Sequence, residues 1–393
     1  MKVLVLSLYY KPDLSAGSFR ITSLVEKLRE QGADVEVVTT LPNRYSSFTS
    51  QALEKEVNDG LVIHRISLPP HKSGMVDQIK AFSRYYKAAH KLTKNKNYDI
   101  VFASSSRLFT AYLGARIAKQ KKVPLYLDIR DIFADTIKDV LSAKLTWLIK
   151  PVLSIIERYT FSKAARINLV SEGFKDYFLE RFSDRDYRFF TNGIDNEFLD
   201  VSFDTKNNLK VNIFGKKGRI LTIVYAGNIG EGQGLHSIVP QLSSAIGEKI
   251  EFVVIGDGGR KQQLIDKSVG VTNLKVLPPV KRAELIEIYK NADILFLHLN
   301  DYPAFEKVLP SKIFEYAALG KPILAGVSGY AASFLQQEVD NAAVFSPGDV
   351  EQAVVAIKSL SLGYTDRVDF RRKFARDCIM NKMASDLIAV GRL

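Results

Sequence analysis

The chain has 393 residues, 46% hydrophobic and 25% charged, with 55 Lys and Arg against 43 Asp and Glu, a formal net charge of +12. This composition suits a soluble globular protein long enough for two domains, and its charge points to a polyanionic partner: nucleic acid, an anionic membrane surface or a phosphorylated substrate. The single cysteine, Cys378, excludes an intrachain disulfide and a cysteine-based metal site, the five histidines form no ligand motif, and no apolar run of about 18 residues is present to span a membrane.

Lys2–Leu8 is a nearly continuous apolar run, as a strand buried on both faces of a parallel sheet requires. It is too short for a signal sequence, so the cytoplasm is the expected compartment. Turn residues Pro12, Asp13 and Gly17 follow, then Ile21, Leu24, Val25 and Leu28 at helical spacing, then a strand at Val35–Val38. The strand–loop–helix–strand order recurs, which predicts an α/β domain with a parallel sheet. Ligands of such sheets bind beyond the carboxyl ends of the strands. Gly17 lies in the first such loop, where it either admits a ligand close to the backbone or is a plain turn glycine.

Leu61–Ile66 reads as a strand and Val76–Asn97 as a helix rich in Lys, Arg and Tyr. A basic helix with an apolar side lies on an anionic bilayer or is simply solvated. Asp99–Ala103, Leu108–Lys119 and Pro124–Leu127 continue as strand, helix and strand. The last runs into Asp128-Ile129-Arg130-Asp131, where clustered charges serve either function or a structural ion pair. Leu145–Phe161 is an amphipathic helix around Trp147, Arg166–Val170 and Tyr187–Phe190 are strands, and Thr191–Asp195 is a turn. The polar stretch Asp204–Lys217 is the expected linker.

The alternation restarts at Arg219–Tyr225, which enters AGNIGEGQGL at 226–235. Glycines at 227, 230, 232 and 234 leave backbone amides able to cradle phosphate. The dinucleotide fingerprint is absent, because Leu235 and Lys261 stand where its third glycine belongs, and there is no Walker lysine pattern. Nicotinamide cofactors and P-loop hydrolysis lose most of their support. Glu251–Ile255, Leu274–Leu277, Asp293–Leu297, Pro322–Leu324 and Ala342–Phe345 supply further strands, and Val350–Leu360 and Arg367–Asp377 read as terminal helices. Arg260, Lys261 and Lys312 are placed to pair with phosphate oxygens.

Leu309–Pro322, LPSKIFEYAALGKP, carries the densest signal. Pro310 suits the first turn of a helix, and Ser311 and Lys312 put a hydroxyl, free amides and a cation at its start. Ile313, Phe314, Ala317 and Ala318 form an apolar face, and Gly320 ends the helix. Glu315 follows Ser311 by four residues, on the same side and one turn deeper. The pattern predicts an anion site above a carboxylate that accepts hydroxyl hydrogen bonds, as a ribose diphosphate would require. An ordinary capped helix with a solvated Glu315 is the alternative.

DIRD at 128–131, TNGID at 191–195, AGNIGEGQGL at 226–235, VIGDGG at 254–259, NADILFLHL at 291–299 and LPSKIFEYAALGKPIL at 309–324 occur in that order. With them the chain resembles the group-1 (GT-B fold) glycosyltransferases. It is most similar to the branch that adds amino-deoxysugars such as N-acetyl-fucosamine in bacterial O-antigen or capsule synthesis. The resemblance implies an α/β chain of two Rossmann-like domains facing across a cleft, with a C-terminal helix crossing back. Residues 1–200 with about 375–393 would bind acceptor, and 201–374 the nucleotide-sugar. It further implies a UDP-linked sugar as substrate without cofactor or metal, a retaining reaction, a polyprenyl-pyrophosphate-linked acceptor and no nucleic-acid partner. The expected location is the inner face of the plasma membrane, held peripherally through the first domain.

By the same resemblance Glu315 binds the nucleotide ribose. The donor-sugar glutamate of the family is replaced by Lys307, with Glu306 beside it, and the family's diphosphate-binding Arg and Lys are replaced by Asn228 and Gln233. Lys312 and Arg260 are expected to supply that charge. The family's first-domain active-site histidine has no clear counterpart. The expected donor site therefore comprises Gly17, Asn228, Gly230, Gln233, Gly234, Arg260, Glu306, Pro310, Ser311, Lys312 and Glu315. Lys312 and Asp131 are the expected catalytic groups, Asp131 as base or acceptor-orienting carboxylate. A sugar-nucleotide epimerase of the same fold and a non-catalytic binding protein are the alternatives.

Overall fold

The computed structural model describes residues 1–13, 15–42, 52–68, 75–105, 108–132, 143–199, 211–212 and 220–393. The chain divides into two units, Met1–Gly193 with Arg376–Leu393, and Ile194–Ala375. The expected linker Asp204–Lys217 lies outside the described residues apart from 211–212, as does the side chain of Trp147.

Unit 1 opens with β1 (Lys2–Leu6), whose Val3, Leu4, Val5 and Leu6 have no exposed surface. Each such side chain contributes about 1.5–3 kcal/mol by leaving water, so the apolar run takes an interior place in a sheet. The order continues α1 (Ala16–Glu30), β2 (Asp34–Thr40), β3 (Lys55–Asn58), β4 (Leu61–Ile66), α2 (Met75–Thr93), β5 (Ile100–Ser105), α3 (Leu108–Lys121), β6 (Leu125–Ile129), α4 (Ala143–Ser162), β7 (Arg166–Leu169), α5 (Lys175–Phe182) and β8 (Tyr187–Arg188). The sheet runs β3-β4-β2-β1-β5-β6-β7-β8, parallel except for the edge pair β3–β4.

Unit 2 contains α6 (Asn196–Leu199), β9 (Val211–Asn212), β10 (Leu221–Asn228), α7 (Leu235–Ile246), β11 (Ile250–Asp257), α8 (Lys261–Lys267), β12 (Leu274–Leu277), α9 (Arg282–Asn291), β13 (Ile294–His298), α10 (Lys312–Ala318), β14 (Ile323–Gly326), α11 (Gly329–Glu338), β15 (Ala342–Phe345), α12 (Val350–Ser359), β16 (Ser361–Leu362) and α13 (Val368–Lys373). Its main sheet runs β12-β11-β10-β13-β14-β15, all parallel. Ile223, Tyr225, Phe252, Val254 and Phe296 of its central strands form the core under α7 and α12. The last helix, α14 (Arg376–Gly391), belongs to unit 1.

Two readings change and one strand is added. Asp128 lies inside β6, not in the loop beyond it. β3 is an edge strand too exposed to show apolar alternation. Arg367–Asp377 is not one helix: α13 stops, Ala375 bridges Ile194, and α14 begins at Arg376. Among the described residues no helix is long and apolar enough to cross a membrane.

Candidate active site

In unit 2 the strand order reverses between β10 and β13, the place where open α/β sheets take their ligands. Asn228 ends β10 and His298 ends β13. The loop between β10 and α7 is held by its own side chains and by the chain after β13. Gln233 Oε1 accepts from Asn228 Nδ2 at 2.7 Å and from Gly230 N at 3.3 Å. Asn300 N donates to the Gly232 carbonyl at 2.8 Å.

Glu231 accepts from the Tyr302 hydroxyl at 2.6 Å and pairs with Arg260 Nε at 2.5 Å. The Tyr302 bond, followed by Arg260, holds its carboxyl below the usual range against partial burial. The side chain of Arg260 pairs with a loop carboxylate, partly exposed, so a donor diphosphate would compete with Glu231 for it.

His298, part of NADILFLHL but assigned no role there, locks this loop. Its Nε2 accepts from Gly348 N at 3.0 Å, so the proton sits on Nδ1 and is donated to the Gln233 carbonyl at 2.7 Å. Burial draws its pKa down to about 4, so the ring is neutral near pH 7.

Lys312 begins α10 and reaches back to β10. Its Nζ stands 5.5 Å from the centroid of the Tyr225 ring and against Gly227, where any Cβ would collide with it. The Tyr225 hydroxyl donates to the Asn228 carbonyl at 2.7 Å, which fixes the ring beneath the ammonium. Gly256 at φ 152° packs so closely that a Cβ would strike the Gly227 carbonyl. These glycines let two strands end side by side with a lysine laid over them.

The helix opens later than expected. Pro310 and Ser311 precede it, their carbonyls accepting from Ile313 N at 3.2 Å and Phe314 N at 3.1 Å in a tight turn. Glu315 is half-buried, one turn further on. Burial opposes the charge on Arg282, and Asp195, Glu315 and Glu197 outweigh it, raising its pKa. Arg282 binds Asp195 and Glu197 directly. Glu315 thus faces a cation that belongs to an ion-pair cluster. Glu306 is exposed in the short helix Pro303–Lys307, and its carbonyl packs where α11 starts at Gly329.

In unit 1 the first aspartate of DIRD has a structural role. Arg20 and Asp128, both without exposed surface, form a two-pronged pair at 3.0 and 2.9 Å. Arg20 also donates to the carbonyls of Thr191 and Phe190 at 2.7 Å, and Asn168 Nδ2 donates to Asp128 at 2.8 Å. Asp131 is exposed.

Arg130, between them, is the residue that sequence reasoning passed over. Its Nη1 is buried with no hydrogen-bond partner, and a Cβ on Gly17 would lie 2.6 Å from it. Gly17 sits in the first turn of α1, capped by Ser15 Oγ accepting from Ser18 N at 3.2 Å. Burial, offset by Asp128 and reinforced by Arg20, draws the Arg130 pKa down to about 10, which leaves it charged near pH 7. An unsatisfied guanidinium edge beside a helix start fits an anion. Among the described residues no group of three or more His, Cys, Asp or Glu side chains could hold a metal ion.

Two family models match in tandem: a glycosyl transferase 4-like domain at residues 17–193 and glycosyl transferases group 1 at 207–377. The chain is 24% identical over 348 residues to the sulfoquinovosyl transferase SQD2 of Arabidopsis thaliana, covering 87% of this chain but 62% of that relative. It is 23% identical over 392 residues to the putative colanic acid biosynthesis glycosyl transferase WcaI of Escherichia coli (strain K12), covering 92% of each. Among solved structures, the sucrose-phosphate synthase of Thermosynechococcus elongatus aligns with a TM-score of 0.68 at 12% identity, covering 100% of this chain and 96% of the other. Alr3699/HepE of Anabaena, in complex with UDP, aligns with a TM-score of 0.58 at 15% identity, covering 100% and 98%.

Proposed function

The chain belongs to the group-1 glycosyltransferases and has their GT-B fold, and from that premise we propose that it transfers an amino-deoxysugar, such as N-acetyl-L-fucosamine, from UDP to a polyprenyl-pyrophosphate-linked saccharide. The product would enter a surface polysaccharide. One observation carries the donor half: Lys312 Nζ, fixed between Tyr225 and Gly227 at the strand-order reversal of unit 2. The UDP complex of the Anabaena protein supports the nucleotide, and the naming of WcaI as a putative colanic acid biosynthesis glycosyl transferase supports the pathway class. Both curated relatives are named as transferases, so the epimerase reading is dropped.

Sugar transfer breaks the bond between the anomeric carbon and a diphosphate oxygen. Negative charge then grows on the diphosphate. A cation and loop amides already in place stabilise that charge without reorganising, which is where most such rate enhancement arises. We assign that task to Lys312 and the backbone of residues 229–234. Glu315 accepts from ribose hydroxyls. Arg130 holds a phosphate group of the reacting substrates in unit 1, and Asp131 orients the acceptor hydroxyl. In this reading no metal takes part, the leaving phosphate receives the acceptor proton, and anomeric configuration is retained.

We further propose that unit 1 holds the enzyme peripherally at the inner face of the plasma membrane. The exposed Lys87 and Lys91 of α2 and the exposed Ile79 and Ile155 support this reading. The test of the activity is a donor screen. The purified protein is incubated with UDP-, GDP- and TDP-sugars and a lipid-pyrophosphate-linked GlcNAc acceptor, and products are read by mass spectrometry. A glycosylated acceptor from a UDP-amino-deoxysugar is expected, and its anomeric coupling reports retention. Turnover of a GDP- or TDP-sugar alone would overturn the donor assignment.

A further inference from the structure

The crossovers β4-α2-β5, β5-α3-β6 and β6-α4-β7 all step the same way along the unit 1 sheet. Right-handed connections therefore place α2, α3 and α4 on one face. Aromatic pairs join them: Phe82 and Phe109 at 5.3 Å, and Tyr112 and Tyr159 at 5.5 Å between ring centroids.

Between these helices is a cavity of about 430 Å³ lined by His90, Arg116, Lys119, Gln120 and Tyr159. Among the described residues no carboxylate lines it. Arg116 and Lys119 make no ion pair among the described residues. The Tyr159 hydroxyl is buried without a hydrogen-bond partner. A buried hydroxyl is normally satisfied, so one left open beside two cations without a carboxylate partner among the described residues, one of them (Arg116) held by the Tyr86 side chain, marks a place for an acceptor. Lys119 also lies in the last turn of α3 and opposes its dipole, but that role does not engage Tyr159.

The cavity continues into apolar surface. Val152, Ile155 and Tyr159 share one stripe of α4, and the first two are 56% and 70% exposed. Ile79, Tyr86 and His90 share a stripe of α2, and Ile79 is 58% exposed. Along a helix, Ile155 and Val152 stand about 6 and about 10 Å from Tyr159, roughly the span from a lipid phosphate to its acyl chains.

We propose that this cavity binds the phosphate group of an anionic membrane lipid, with Val152, Ile155 and Ile79 resting among its apolar groups. Arg116 offers a forked donor, Lys119 a point charge and Tyr159 a hydroxyl. The proposal rests on the peripheral-membrane reading and adds to it a specific headgroup site whose described lining includes none of the residues assigned to glycosyl transfer.

Two measurements separate the proposal from that reading. Short-chain phosphatidic acid, kept below its micelle concentration, is titrated into the parent, into an Arg116→Gln/Lys119→Gln variant and into a Tyr159→Phe variant. The same proteins are floated on phosphatidylcholine vesicles with and without phosphatidylglycerol, alongside an equally neutralised Lys87→Gln/Lys91→Gln control. All four substituted cations are exposed, so the fold should persist. The expected result is at least a tenfold loss of monomeric lipid binding in the cavity double variant and several-fold in Tyr159→Phe. The control should keep monomer binding within twofold while losing some flotation. Equal monomer binding by parent and cavity variants would overturn the site. Inorganic phosphate binding as tightly as the lipid would overturn the lipid assignment. Equal flotation of the parent on neutral and anionic vesicles would instead remove the membrane reading.

Discussion

His298 Nδ1 hydrogen-bonds the carbonyl of Gln233 at 2.7 Å, tying the end of β13 to the loop after β10. The ring must be neutral for its other nitrogen, Nε2, to accept from Gly348 N.

Acid should therefore loosen unit 2. The pKa of His298 is drawn down by burial from the usual 6.5 to about 4. With the folded pKa depressed, the unfolded chain takes up the proton first. The contribution is fully present above about pH 6.5 and is lost as pH falls to about 4, on the order of 3 kcal/mol in total. Urea unfolding across this range, followed by the unit 2 transition, should show the loss in the parent and not in His298→Asn. An unchanged slope in the variant would remove His298 as the cause. Glu36, held at about 2 by His64 and Lys96 against burial, acts in a lower window.

Asp128→Ala should destabilise unit 1 by roughly 3–5 kcal/mol, because Arg20 would remain buried and unpaired. Arg20→Met/Asp128→Leu should recover much of that loss. Denaturant midpoints decide it. A near-neutral Asp128→Ala with strongly reduced transfer would instead make Asp128 a catalytic group.

Glu315→Ala should weaken UDP binding by about 1.5–3 kcal/mol while the fold survives, since Arg282 keeps Asp195 and Glu197. Calorimetry showing unchanged affinity would take Glu315 out of the site.

Arg260→Gln should leave UDP affinity within about threefold, because the pair with Glu231 is partly exposed and such pairs are worth about 0–1 kcal/mol. A tenfold loss would restore Arg260 to the diphosphate.

What was legible in the sequence was local. The apolar run at β1, the glycines at 227 and 256 and the Pro310-Ser311-Lys312 start all act through neighbours in the chain or through backbone geometry. What was hidden depended on partners far along the chain. Asp128 looked functional because Arg20, its partner, lies 108 residues away. His298 looked idle because its partners lie 65 and 50 residues away. Arg260 reads as available for phosphate, and the fold adds Glu231, 29 residues away, as a competing partner. Arg130 drew less notice than the acids flanking it, and only the approach of Gly17 reveals its buried edge.

The central claim is that Lys312, laid over Gly227, receives the donor diphosphate. It is tested most directly by titrating UDP and uridine, in parallel, into the parent and into Lys312→Gln. A charged hydrogen bond of about 1.5–3 kcal/mol predicts a loss of roughly 10- to 150-fold for UDP. Uridine, which lacks the diphosphate, should bind both proteins within about twofold of each other. Unchanged UDP affinity, or equal losses for both ligands, would contradict the account.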